Sequence, residues 1–104
     1  MDESTQSAVE RLRAHEGELR ALGIRSLSVF GSVARGEGEA ASDVDIAVRL
    51  GPEFAHGGFE YFGKIERLRG QLTAILGRPV DVLEEPVEGE RLQRAIDRER
   101  VPAF

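Results

Sequence analysis

Asp43 and Asp45 flank Val44 at the head of an apolar run, and ten residues separate them from Gly31-Ser32, which closes an apolar run of its own. Strand side chains i and i+2 share a face, so the two carboxylates project side by side while Val44, Ile46 and Val48 turn inward. Paired carboxylates on a stiff strand attract magnesium, a hard cation that prefers oxygen ligands and is often shared with substrate phosphates. The Gly31-Ser32 turn suits the phosphates themselves. Glycine lets a phosphate approach the backbone, the amides that start the next helical turn are free donors, and the Ser32 hydroxyl adds another. Arg35, about one turn on, offers a bidentate guanidinium. Asp81, between Val80 and Val82, repeats the pattern of an acid outward and valines inward.

A nucleoside triphosphate laid against that turn defines the chemistry. Magnesium held by Asp43 and Asp45 bridges the phosphates, and in a two-ion arrangement the ions sit about 4 Å apart and stabilise the entering and leaving oxygens. Asp81 either ligates the second ion or accepts the proton of an attacking hydroxyl. The step is in-line attack on the α phosphate with loss of pyrophosphate. Ser42, directly before the acid pair, is placed among the nucleotide contacts, although a serine there also serves as a turn residue that fixes the strand start. Arg35 has a plain alternative in pairing with Glu37 or Glu39, and Glu84 and Glu85 are weaker substitutes for Asp81.

The elements that must hold these groups follow from the apolar spacing. Residues 5–22 read as a helix with Ser4 as cap, Val9, Leu12, Leu19 and Leu22 on one stripe, and Gly23 as the stop. Arg25 to Phe30 reads as a strand, and Ser32 to Arg35 as the first turn of a short helix. A loop over 36–42 leads to a second strand from Asp43 to Leu50, ended by Gly51-Pro52. Glu53 to Gly58 is polar and glycine-rich, a candidate flap beside the site. Phe62, Ile65, Leu68, Leu72, Ile75 and Leu76 mark a helix over 59–76 that stops at Gly77. Pro79 to Leu83 is a third strand. A last helix from about Glu88 to Arg98 carries Leu92, Ala95 and Ile96, and the apolar residues 101–104 dock on the core.

The chain has 104 residues, 19 acidic against 14 basic side chains and no cysteine. That length suits one domain over 1–104 with a modest core and leaves no room for a second substrate domain. Without cysteine there is neither a disulfide framework nor a thiolate zinc site, in keeping with a cytoplasmic setting. The net charge of -5 argues against a broad cationic surface for long nucleic acid. A compact triphosphate remains compatible, because local groups can meet its charge. The acidic N-terminus carries no targeting signal, and no apolar run approaches the roughly 18 residues of a membrane span. His15 and His56 read as surface residues. Tyr61 and the phenylalanines read as core or edge packing, and an apolar patch left by so short a chain would serve a partner or a second copy in a homodimer.

Gly31-Ser32-x-x-Arg35-Gly36, then Ser42-Asp43-x-Asp45-Ile46, then Val80-Asp81-Val82, resembles the minimal nucleotidyltransferases of the DNA polymerase beta superfamily. The resemblance spans the chain and implies an α+β fold, a small mixed sheet flanked by helices in the order α-β-α-β-α-β-α. It carries functional roles onto Gly31, Ser32, Asp43, Asp45 and Asp81. It also implies magnesium as cofactor and ATP as substrate. Many such proteins are antitoxins that silence a small helical HEPN ribonuclease toxin by transferring AMP to a tyrosine, so a HEPN toxin is the implied partner. Gly38, where relatives often have alanine, and the acidic Glu37 and Glu39 are departures that touch no motif acid.

Two readings from different classes compete. In the first the chain is an enzyme that transfers a nucleoside monophosphate to a hydroxyl of a partner protein. In the second it is a non-catalytic antitoxin that masks its toxin by contact, its acids idle. A stand-alone transferase acting on a small molecule is a third and weaker reading, because no substrate domain is present.

Overall fold

The computed structural model describes residues 3–36, 43–52, 54 and 58–104. Ser42, most of the 36–42 loop and most of the expected 53–58 flap lie outside those residues. Two helices occupy the stretch expected to form one: α1 (Glu3–Ala14) and α2 (Glu16–Ala21), with His15 between them at φ −108, ψ 15. The break falls just ahead of Gly17, a residue that costs a helix interior about 1 kcal/mol. Ser4 lies inside α1 rather than ahead of it. Val9, Leu12 and Leu19 are buried as their spacing requires, but Leu22 ends up exposed beyond the last turn of α2.

The sheet contains β1 (Ile24–Phe30), β2 (Val44–Leu50), β3 (Val80–Glu84) and the short β4 (Val101–Pro102), in the order β3-β2-β1-β4. The four-residue α3 (Gly31–Ala34) follows β1 directly. β1 runs antiparallel to β2 and β4, whereas β2 and β3 are parallel. Parallel neighbours need a long crossover, and α4 (Gly58–Leu76) supplies it. The sheet is therefore mixed, as expected. Its fourth strand was not expected: residues 101–104 do dock, but by pairing with β1. Leu27 accepts from the amide of Ala103, and Leu27 donates to the carbonyl of Phe104.

Alternation splits the sheet into two faces. Leu27, Val29, Val44, Ile46, Val48 and Val80 pack against Ala8, Val9 and Leu12 of α1 and Leu68, Leu72 and Leu76 of α4. Each fully buried leucine or valine stabilises this layer by roughly 1.5–3 kcal/mol relative to exposure. The opposite face is only partly covered. There α5 (Glu90–Glu99) lowers Ile96 onto Phe30 and Ala47, with Leu83 and Val87 beside them. Phe62, at the margin of the α4 stripe, is 65% exposed, and Leu92 of α5 is exposed as well. Both were expected to face inward, and the buried stripes are one residue narrower than the apolar pattern.

Two polar links tie the elements together from inside. The buried Thr5 hydroxyl donates to the Val33 carbonyl, fastening α1 to α3. Glu85, just past β3, is buried and accepts from Arg100 Nη1 at 2.9 Å and Gln93 Nε2 at 2.7 Å. Arg100 also reaches the Ser28 hydroxyl at 3.2 Å. Burial pushes the Glu85 carboxyl up, but hydrogen bonds from Arg100 and Gln93, with the charges of Arg100 and Arg49, hold it below its usual range. Glu85 is thus a structural ion-pair residue and no substitute for Asp81. Glu84 accepts from the Tyr61 hydroxyl, and burial with that bond raises the Tyr61 pKa to about 12.

Candidate active site

Register places the acids. Phe30 stands opposite Asp45 across β1 and β2, and Asp45 stands opposite Asp81 across β2 and β3. Paired residues in a sheet point to the same side, so Asp45 and Asp81 share the partly covered face. Asp43 precedes β2 by one residue and, two positions from Asp45, projects the same way. Asp45 is half-buried, while Asp43 and Asp81 are exposed.

Gly31 follows Phe30 directly, and its φ of +75 turns the chain across the end of β2. A Cβ built there would overlap Asp45 Oδ2 and stand 3.1 Å from Asp45 Cγ. Two constraints therefore select glycine at 31: a left-handed backbone and a carboxylate packed against its α carbon. Gly31 of the glycine-serine turn and Asp45 of the acid pair, far apart in the sequence, are packed against each other here.

Charge gathers around Asp45. Partial burial, then the charges of Asp81 and Asp43, push its carboxyl above the usual range. Arg35 pulls it back down and Glu99 adds to the rise. Arg35 donates to Glu99, a residue 64 positions on, at 3.0 Å; Glu37 and Glu39, the partners its sequence suggested, lie outside the described residues. Glu99 was missed because no local pattern signals it; only the docking of α5 brings it here. His15 lies 3.3 Å from Glu18 on the surface, away from these groups.

Beside Asp45 and Asp81 opens a cavity of about 500 Å3, walled by Ile65, Glu66 and Arg69 of α4 and by Val82 and Leu83 of β3. Arg69 pairs with Glu66 at 2.6 Å, and that bond, with a smaller contribution from Asp81, favours its charged form. Arg69 was also missed, although its position four residues after Ile65 was a usable signal. A hollow of about 580 Å3 between α2 and α4, lined by Leu22, Phe54, Lys64 and Arg67 among others, contains none of the acids.

The donors gathered at Asp45 are all carboxylate oxygens, the set a hard cation takes. Among the described residues no three acidic or histidine side chains come close enough to cage an ion. Magnesium typically binds through one or two carboxylates and completes its shell with water and substrate phosphates. The arrangement therefore fits magnesium that arrives with a nucleotide. Among the described residues no helix is long and apolar enough to cross a membrane.

A family model described as a nucleotidyltransferase domain matches residues 12–103. The protein adenylyltransferase MntA of Thermococcus cleftensis is 36% identical over 91 residues, 86% of either chain. Matched stretches cover from 59% to 90% of the lengths of the curated relatives. A solved structure described as a candidate minimal nucleotidyltransferase superposes with a TM-score of 0.67 at 31% identity, covering 98% of this chain and 96% of that one. A complex of tri-AMPylated Shewanella oneidensis HEPN toxin with MNT antitoxin superposes with a TM-score of 0.55 over 88% of this chain and 71% of the other. Its 16% identity speaks for the fold alone.

Proposed function

The chain belongs to the nucleotidyltransferase domain family, and on that premise we propose that it transfers AMP from ATP to a hydroxyl of a HEPN-type toxin, acting as its antitoxin in the cytoplasm. The observation that carries the reading is the convergence at Asp45, with Gly31 packed against it and Asp81 in register beside it. The adenylyltransferase relative and the antitoxin-toxin complex of the same fold support the acceptor class.

Gly31, Ser32 and Arg35 hold the triphosphate, with Ser42 as a further contact. Arg35 exchanges Glu99 for a phosphate oxygen, a bidentate partner of the same charge. Asp43 and Asp45 would hold magnesium, which when bound would neutralise phosphate charge and make the phosphorus a better electrophile. The acceptor oxygen forms a bond to the α phosphorus as the bond to the β-phosphate oxygen breaks, and pyrophosphate leaves. Asp81, exposed at the cavity mouth, takes the hydroxyl proton.

Incubation of this chain with ATP, magnesium and its toxin partner, followed by intact-mass measurement, tests the reading. The toxin is expected to gain adenylyl groups and lose ribonuclease activity, and Asp45→Asn to abolish both changes. Silencing without any mass change, and equal silencing by Asp45→Asn, would assign the chain to contact inhibition instead.

A further inference from the structure

The acceptor side of the site follows from the geometry of attack, taking the transfer reading above as its basis. In-line displacement sets the entering and leaving oxygens on opposite sides of the phosphorus. Gly31 reaches Asp45 from the β1 side of β2, whereas Asp81 reaches it from the β3 side. A triphosphate whose outer phosphates lie by Gly31 and Arg35 thus leaves its α phosphorus open toward β3. The 500 Å3 cavity of Asp45, Asp81, Ile65, Glu66, Arg69, Val82 and Leu83 opens there.

We propose that this cavity and the adjoining face of α4, with Phe62, Ile65 and Arg69, form the docking surface for a protein acceptor that is neutral to basic around its reactive hydroxyl. Residues 62, 65, 66 and 69 fall on one side of a helix by their three- and four-residue spacing. Phe62, one helical turn ahead of Ile65 and Glu66 on α4, is 65% exposed. A small acceptor that fills the cavity leaves that ring in water, whereas a polypeptide covers it, and exposed aromatics are the usual anchors of protein interfaces. Ile65, Val82 and Leu83 give the hydroxyl-bearing side chain apolar walls. Charge selects the segment: among the described lining residues Asp45, Glu66 and Asp81 are acidic and Arg69 is basic, so an acidic segment is repelled. Arg69 is a positioning residue, set by Glu66 to meet the acceptor backbone. In the transfer, the hydroxyl oxygen bonds to phosphorus, its proton passes to Asp81, and pyrophosphate departs on the β1 side.

Steady-state kinetics with the full chain, ATP, magnesium and the toxin partner provide the test. In Phe62→Ala and Arg69→Gln the KM for the partner rises about tenfold, the order expected for an interface anchor, while KM for ATP and the melting temperature stay unchanged. Leu22→Ala, an exposed leucine on the far hollow, changes neither KM. An equal rise in the KM for ATP, or an unchanged partner KM in both variants, overturns the docking surface. If the wild-type chain leaves its partner unlabelled, the transfer reading fails first, and calorimetry of partner binding then decides the surface. Weaker binding by Phe62→Ala supports it; unchanged binding removes it.

Discussion

Gly31→Ala carries two penalties that a second glycine allows to be separated. At φ +75 a side chain costs about 1–2 kcal/mol, which for a domain of this size lowers the melting temperature by roughly 4–16 °C. The second penalty falls on the site. The new Cβ overlaps Asp45 Oδ2 and lies 3.1 Å from Asp45 Cγ, so the carboxylate must swing off or the end of β1 must move. A misplacement of about 1 Å at a reacting group costs on the order of 100-fold in rate. Gly77→Ala carries the first penalty alone, because Gly77 has φ +68 and nothing within 4 Å of a Cβ. Circular-dichroism melts and initial rates of toxin adenylylation at saturating ATP are read for both. Gly31→Ala melts at or below Gly77→Ala, and only Gly31→Ala loses the rate. Equal rates in the two variants would refute the contact between Gly31 and Asp45 as a catalytic constraint.

Asp45→Asn should melt higher than the wild type near neutral pH, since burial and the Asp81 and Asp43 charges raise the Asp45 pKa and its ionisation opposes folding. That deficit appears as pH rises through the folded pKa and is absent below the unfolded value of 3.8, so melts across the acid range should converge; a constant difference refutes it. Arg100→Ala leaves the Glu85 side chain at 0% exposure without its main ion partner and should cost about 3 kcal/mol by urea unfolding at neutral pH. The loss shrinks in acid, because the stability from the depressed Glu85 pKa is present above its unfolded value of 4.5 and lost as pH falls through the folded one. An effect under about 1 kcal/mol would place the pair among surface bridges. Magnesium with ATP should raise the melting temperature, and magnesium alone scarcely at all, because phosphates complete the ion's shell. A large shift with magnesium alone, or an undiminished shift in a chain with alanine at Asp43 and Asp45, counts against those ligands.

The acid-bearing strands were legible because their signals are local: alternation sends Val44, Ile46 and Val48 one way and Asp45 the other, and Val80 and Val82 do the same for Asp81. Gly31 was legible as a close-approach glycine, but what it approaches depends on the register of β1 with β2, and Asp45 could not be named from spacing. Glu99 ends α5 and Arg100 follows it, and their partners Arg35 and Glu85 lie far off in the chain. No periodicity encodes such pairs. β4 was unreadable as a strand because two residues carry no alternation, and its pairing is set by β1. Phe62 and Leu92 misled because an apolar stripe records what can be buried, while the neighbouring elements decide how wide a strip is covered.

The end of α5 holds two adjacent residues with separate duties, Glu99 reaching Arg35 at the site and Arg100 reaching Glu85 and Ser28 behind it. Ile96 is the buried residue of that helix, so its attachment depends heavily on ionic contacts. Dissolved electrolyte weakens exposed contacts of this kind within a Debye length of about 8 Å at physiological strength. Background salt thus acts unevenly on the two contacts: concentrated brine would weaken the partly exposed Glu99–Arg35 pair well before the Arg100–Glu85 pair, whose carboxylate is shut off from solvent.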